Sequence, residues 1–162
     1  MATLTVLKFN NPKGAEQVLE KLQILQNDGF IKIEDAAMVS WPVGRKKPKT
    51  RQLVDLVGKS ALKNAFWGLL FGIIFVVPIL GMAIGAAVGA MAGKMDDYGI
   101  SDEFIEETRA QVTEGTSALF LLTSGAVQDK VVEELKGKQF ELIASNLNKV
   151  QEEQLMAAFS AE

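Results

Sequence analysis

The chain has 162 residues and a formal net charge of −3, a length that suggests one domain with enough residues to bury a hydrophobic core. It contains no histidine and no cysteine, which excludes zinc sites built on those ligands, histidine-based catalytic triads, thiol nucleophiles, iron–sulfur ligation and disulfides. The charges are unevenly distributed. Residues 1–64 hold 11 basic and 6 acidic residues, residues 65–93 hold none, and residues 94–162 hold 6 and 14.

The first half is predicted to begin with a strand and a helix. Residues 1–9 are rich in β-branched residues and alternate in polarity, and they lack the basic start and small-residue cleavage site of a signal peptide. Asn11 and Pro12 are typical of a helix start, apolar residues then recur at helical spacing, and Asp28 with Gly29 predicts the helix end.

A hairpin with a basic tip is predicted next. Residues 30–41 and 51–57 have extended character, and Pro42 and Gly44 interrupt them. The basic residues of this region are Arg45, Lys46, Lys47, Lys49 and Arg51, followed by Lys59 and Lys63.

The acidic half is predicted to alternate helices and strands. Ser101 can cap a helix whose first turn is acidic and which ends at Gly115. Residues 118–122 form an apolar run short enough for a strand buried on both faces. A helix ending at Gly137, a strand over 140–144 and a helix over 149–159 complete the chain.

In order, these elements predict an α+β fold. We expect a ferredoxin-like domain, βαβ-β-αβ with an extra C-terminal αβα, made discontinuously from residues 1–58 and 96–162. Residues 59–95 would be an apolar helical hairpin inserted into this domain. Because the insert interrupts one sheet-forming unit, its two ends must return to the same folded body.

The uncharged block, residues 65–93, is predicted to form that hairpin. As one helix it would be about 43 Å long, enough to cross a hydrocarbon core of about 30 Å, but one crossing would put strands of one sheet on opposite sides of a bilayer. Pro78, near the middle, is the natural turn. It leaves two arms of about 21 Å each.

Glycines at four-residue spacing give the hairpin a predicted packing face. Their absent side chains would let another backbone approach closely, as in a glycine zipper. In water each would cost about 0.5 to 1 kcal/mol relative to alanine, so they need close helix packing to be accommodated. The six glycines are Gly68 and Gly72 in the first arm and Gly81, Gly85, Gly89 and Gly93 in the second.

The sequence resembles a known family at this point. The segment from Phe66 to Gly81, the segment from Met82 to Gly93 and the strand at 117–122 are similar to bacterial proteins catalogued as domain of unknown function 1269. Members of that family are described as membrane proteins. The resemblance therefore implies membrane association, and it supplies no reaction, substrate or catalytic residue.

Three further groups of residues could form a functional site. The glycines around Lys94 lack the spacing and the Ser or Thr of a phosphate-binding loop, and the acidic residues near 96–107 match no calcium loop. The basic residues at 45–63 have three interpretations: a solvated hairpin tip, a nucleic-acid contact, or a contact with anionic lipid headgroups to which Trp67 would add an interfacial ring. The excess of basic residues beside the block places the folded body on the cytoplasmic side.

We therefore expect a non-enzymatic, membrane-associated, self-assembling structural protein without cofactor, metal or nucleic acid. Two alternatives remain open. One is a soluble homo-oligomer or particle that buries the hairpins in its interior. The other is a regulatory module that binds a small-molecule ligand on its sheet.

Overall fold

The computed structural model describes residues 2–53, 61–76 and 94–160. The strands are β1 Ala2–Phe9, β2 Asp35–Ser40, β3 Lys49–Gln52, β4 Ser117–Ser124 and β5 Glu141–Leu147. The α-helices are α1 Gly14–Asn27, α2 Asn64–Phe71, α3 Asp102–Gln111, α4 Gly125–Glu134 and α5 Lys149–Phe159, and a π-helical turn, Gly72–Val76, continues α2. The predictions for Lys59, Pro78, Gly81, Gly85, Gly89 and Gly93 lie outside the described residues.

The strands form one antiparallel sheet, which confirms the α+β class. Their order is β3–β2–β4–β1–β5. β4 lies between β1 and β2, and all but the last of its residues are buried, as its continuous apolar sequence predicted.

One face of the sheet is covered by α1 and α4. Leu7, Leu119 and Leu121 of the sheet share a hydrophobic cluster with Val18 and Leu22 of α1. The apolar residues of α1 recur at 3.6-residue spacing, so the helix presents one buried stripe to the strands.

The other face is covered by α2, the π-helical turn, α3 and α5. Val6 and Phe120 of the sheet belong to the same buried cluster as Phe66, Leu70 and Ile73. The buried residues of the range 61–76, together with Met95, therefore belong to the core of the α+β body, although we expected this range in the insert. The start of the uncharged block supplies the second helical layer of the protein.

The C-terminal helix–strand–helix is not an addition to the sheet domain. β5 pairs with β1 along seven residues, so β1 is an interior strand. The pairing of β5 with β1 joins distant segments, and local periodicity does not specify it. The predicted hairpin is confirmed, because the edge strand β3 pairs antiparallel with β2, and only with β2 within the described residues. Residues 54–57 of its predicted second strand lie outside the described residues.

One strand boundary differs from prediction for a local reason. The second strand begins at Asp35 and not at Phe30, because the Ile33 amide donates to the Gln26 side chain instead of to a neighbouring strand. Two predicted signals at helix ends are confirmed, whereas α3 ends at Gln111, before the predicted end at Gly115. The Ser101 hydroxyl accepts from the Phe104 amide, and Gly29 follows α1 with a φ of 79°.

Phe120 is expected to be a main stabilising residue of the second face. It is fully buried, and its ring lies 5.0 Å from that of Phe71 and 6.4 Å from that of Trp67. Phe120→Ala should lower the free energy of unfolding by about 3 to 5 kcal/mol, because it removes buried surface and leaves a cavity. Urea unfolding measures the loss. Val150→Ala, at a residue that is 62% exposed, should change it by less than about 0.5 kcal/mol.

Candidate functional site

The basic residues predicted at the hairpin tip lie on the surface. Arg45, Lys46 and Lys47 are exposed in the connection between β2 and β3, and Lys49, Arg51 and Lys63 are exposed beside it. In residues 2–53, 61–76 and 94–160, none of these six side chains forms an ion pair. Their positive charge is therefore available to a partner.

Trp67 does not lie at the surface. Its side chain is 1% exposed, and its ring is 5.1 Å from Phe66 and 5.8 Å from Phe71. The predicted headgroup contact of Trp67 is therefore corrected, since α2 lays this side of the helix on the sheet. The tryptophan is a core residue of the second face.

Gly68 of α2 and Gly72, the first residue of the π-helical turn, lie outside the fully buried face of this helical segment. Gly68 is exposed and Gly72 is half-buried, and a Cβ atom at either position would meet nothing within 4 Å. Within the described part of the chain, no other backbone packs closely against them. A glycine packing face stays a prediction, since the other four glycines of the set lie outside this part.

A buried carboxylate joins the sheet to the segment before α2. Asp35, at the start of β2, is fully buried and accepts hydrogen bonds from the amides of Ala36 and Leu62, both at 2.8 Å. The Gln52 amide nitrogen lies 3.2 Å from each Asp35 oxygen and also donates to the Leu62 carbonyl at 3.0 Å. We call Asp35, Gln52 and Leu62 the Asp35 cluster.

Burial raises the pKa of Asp35 above its ordinary value of 3.8, because the surroundings disfavour a charge. The hydrogen bonds from Leu62, Gln52 and Ala36 oppose this effect and lower the pKa. The Trp67 indole lowers it further, although its Nε1 lacks full hydrogen-bond geometry to any acceptor among the described residues. Desolvation is the largest of these effects.

Arg109 of α3 holds the end of the apolar helical segment. Its Nε donates to the Ile74 carbonyl at 3.0 Å and its Nη2 to the Ile73 carbonyl at 2.8 Å. Both carbonyls belong to the π-helical turn, where the usual backbone acceptor pattern is interrupted.

A cavity of about 590 Å³ lies between the edge strand and α2, and we call it the edge cavity. Thr50, Arg51 and Gln52 of β3 line one side. Asn64, Trp67, Gly68 and Phe71 of α2 line the other. It brings the exposed Arg51 together with Trp67 and Gly68, three residues that the sequence analysis had singled out for other roles.

Several of these residues were not predicted as functional. A signal for Asp35 exists in the sequence, because it has the same parity as the buried Ala37 and Val39 and so falls on an apolar face of β2. Gln52 and Arg109 carry no such signal. Their partners lie on segments 10 and 36 residues away.

The described residues contain neither a membrane-spanning helix nor a metal-binding cluster. Over residues 2–53, 61–76 and 94–160, no helix combines the length and apolar character needed to cross a membrane. In the same residues, no group of three or more acidic side chains is arranged to hold a metal ion.

The fold and these contacts define an α+β protein with helices on both faces of an antiparallel sheet. A family model described as "Protein of unknown function (DUF1269)" matches residues 61–160, more than half of the chain, and the protein belongs to this family. The matched region contains the uncharged block and Arg109 and excludes β1, β2 and β3. No curated protein and no solved structure matches the chain.

Asp35→Asn tests the pH dependence of stability. The pKa of Asp35 is higher in the folded protein than in the unfolded chain, so the folded protein binds this proton more tightly. The contribution of Asp35 to the free energy of unfolding therefore falls as the pH rises from 3.8 through the higher pKa of the folded protein. The variant should remove that fall. At neutral pH it should also lower the free energy of unfolding by about 1 to 3 kcal/mol, because its amide group would face an N–H donor.

Urea unfolding at a series of pH values measures both effects of Asp35→Asn. Asp28→Asn removes an exposed carboxylate by the same chemical change and controls for the loss of one negative charge. An unaltered stability profile in Asp35→Asn would contradict the role of the cluster.

Arg109→Ala should lower the free energy of unfolding by about 1.5 to 3 kcal/mol, since two carbonyls of the π-helical turn lose a charged donor. Arg109→Lys keeps the charge but offers a single nitrogen and should recover only part of the loss. Urea unfolding and amide exchange of residues 70–76 report the change. Full stability of the lysine variant would show that charge alone is sufficient.

Proposed function

We propose that this protein is a non-enzymatic, membrane-associated, self-assembling structural protein. The observation that supports the proposal most is the position of the two ends of the uncharged block. Phe75 and Met95 lie in the same hydrophobic cluster on one face of the sheet. We propose that the sequence between them leaves the folded body and returns to it.

The length of that sequence sharpens the proposal. Residues 77–93 are uncharged and number 17. As one helix they would span about 26 Å, and as two arms about 12 Å each, against a hydrocarbon core of about 30 Å. We therefore propose insertion into one leaflet, with the folded body on the cytoplasmic side, in place of the two 21 Å arms that the sequence suggested.

The basic surface supports contact with anionic headgroups. Each lysine or arginine near a membrane surface contributes about 1 kcal/mol of attraction to anionic lipid. Lys46 and Lys47 at the tip and Lys63 beside α2 are exposed.

Self-association is proposed from the glycine pattern. Gly81, Gly85, Gly89 and Gly93 recur at four-residue spacing in the uncharged sequence. Helices of this pattern pack with close backbone contact. We propose that copies of the protein associate through this face.

We also propose a ferredoxin-like arrangement for the sheet. The units β1-α1-β2 and β4-α4-β5 each consist of a strand, a helix and a strand. The strands of the two units interleave in the sheet, because β4 lies between β1 and β2 and β1 lies between β4 and β5. β3 would then be an added edge strand. The helical layer of α2, α3 and α5 would be an addition to the second face.

A soluble homo-oligomer is the second candidate. Phe66, Leu70 and Ile73 pack on the protein's own sheet, so the first part of the uncharged block is accommodated without lipid. The remaining uncharged sequence would then be buried between copies. Lipid binding and oligomer size distinguish the two candidates.

Vesicle flotation tests membrane association. The protein should float with vesicles containing anionic phosphatidylglycerol and less with neutral phosphatidylcholine vesicles. Lys46→Gln/Lys47→Gln should weaken binding about 30-fold, from two lost contributions of about 1 kcal/mol. Lys130→Gln/Lys138→Gln, which changes two exposed lysines elsewhere, is the control.

Light scattering on purified protein, with and without detergent, tests assembly. Gly85→Leu/Gly89→Leu should reduce the oligomer mass, whereas Val88→Leu should not. A particle that stays soluble without detergent and binds neither kind of vesicle would favour the second candidate, the soluble homo-oligomer. A soluble monomer would overturn both.

A further inference from the structure

We propose that the connection between β2 and β3 docks on a lipid surface, with Val43 in the interfacial layer of the bilayer and Arg45, Lys46 and Lys47 on its anionic headgroups. We call residues 41–47 the docking tip. This inference rests on the membrane association proposed above, and it adds which end of the folded body faces the lipid.

The docking tip is a tight turn with a fixed shape. The Arg45 amide donates to the Pro42 carbonyl at 3.2 Å, and Gly44 has a φ of 91°, a conformation that glycine adopts without strain. The Trp41 indole Nε1 donates to the Arg45 carbonyl at 2.9 Å. Because these two hydrogen bonds close the turn, the fold fixes the position of Val43 between them.

The turn is anchored to the rest of the body through Trp41. Its amide donates to the Thr116 carbonyl at 2.9 Å, and its carbonyl accepts from the Gly115 amide at 2.7 Å. Its ring packs edge-on against Phe75, with the ring centres 6.0 Å apart. Phe75 belongs to the π-helical turn, so the docking tip lies beside the start of the remaining uncharged sequence.

The apolar groups at this end of the body suit the interfacial layer of a bilayer. Val43 is 77% exposed, more than any other large apolar residue that the structure describes. Trp41 is half-buried, and Val76, which follows Phe75, is 42% exposed. A lone exposed valine is common on protein surfaces, but burial in the headgroup region is favourable for valine and for an indole ring.

The charges at the same end suit an anionic surface. Residues 41–48 contain three basic residues and no acidic residue. The neighbouring connection between α3 and β4 contributes one exposed carboxylate, that of Glu114, and residues 77–93 hold no charge. The balance is positive, and it attracts anionic lipid. A nucleic acid would contact the same basic groups, but an exposed valine offers its bases neither stacking nor a hydrogen bond.

The exposed Phe30 does not form an equivalent surface. It is 65% exposed, but it lines a surface cavity of about 380 Å³ together with three acidic residues and one lysine. Anionic headgroups would be repelled there. The docking tip is therefore the exposed apolar surface whose charge fits an anionic lipid.

Site-specific labelling tests which end faces the bilayer. The chain contains no cysteine, so Val43→Cys and Val150→Cys each create a single site for an environment-sensitive fluorophore. Val150 is 62% exposed and begins α5 after Leu147, at the opposite end of the sheet from Ser40. On vesicles of equal parts phosphatidylglycerol and phosphatidylcholine, nitroxide-labelled lipid should quench the label at position 43 and not the label at position 150.

Unlabelled variants test the apolar contact itself. Val43→Gln should weaken vesicle binding about tenfold, because the loss of valine burial leaves only the electrostatic attraction. Val43→Leu should retain binding, and Val150→Gln should leave it unchanged. All three variants keep every charge of the protein, so they report on the apolar contact separately from the lysines.

The outcomes separate this inference from the proposed function. If the protein floats with vesicles but both labels are quenched equally, or neither is, the docking tip is wrong and membrane association stands. Unaltered vesicle binding of Val43→Gln would overturn the tip in the same way. If Val43→Gln also lowers the oligomer mass, the tip is a contact between copies of the protein. A protein that binds no vesicle would overturn both proposals.

Discussion

The buried Asp35 carboxylate is the contact on which the arrangement of the second face depends. It receives the Leu62 amide, which fixes where the chain returns to the sheet after the described part of β3. Leu62 lies two residues before α2, so this hydrogen bond sets where the helix lies on the strands. A buried carboxylate without a cationic partner among the described residues is tolerated only because several N–H groups face it. Trp67 and Phe71 reach the sheet as a consequence of this local polar contact.

The sequence predicted most of the helices and strands, but few of the contacts between segments that are distant in the chain. Ser101, Gly29 and the apolar periodicity of α1 act within a few residues, and such signals were sufficient to place helix ends. The pairing of β5 with β1 joins residues more than 130 positions apart, and nothing local encodes it. The edge cavity was not predicted for the same reason, since β3 and α2 form it together.

Trp67 shows a different difficulty. A tryptophan beside an uncharged block is equally suited to a membrane interface and to the face of a sheet, because both remove an aromatic ring from water. Its burial against Phe120 depends on β4, which lies 50 residues further along the chain. Apolar sequence alone therefore identifies residues that must be covered, and only the fold identifies what covers them.

The π-helical turn at Gly72–Val76 has a consequence for the spacing of the glycines. A helix that adds one residue to a turn advances the residues after it by about 100° relative to an uninterrupted α-helix, at 3.6 residues per turn. Gly68 lies before this turn, and Gly72 is its first residue. Arg109 holds the carbonyls of Ile73 and Ile74 within the turn. The backbone of the π-helical turn is thus stabilised by an arginine from the acidic half of the protein.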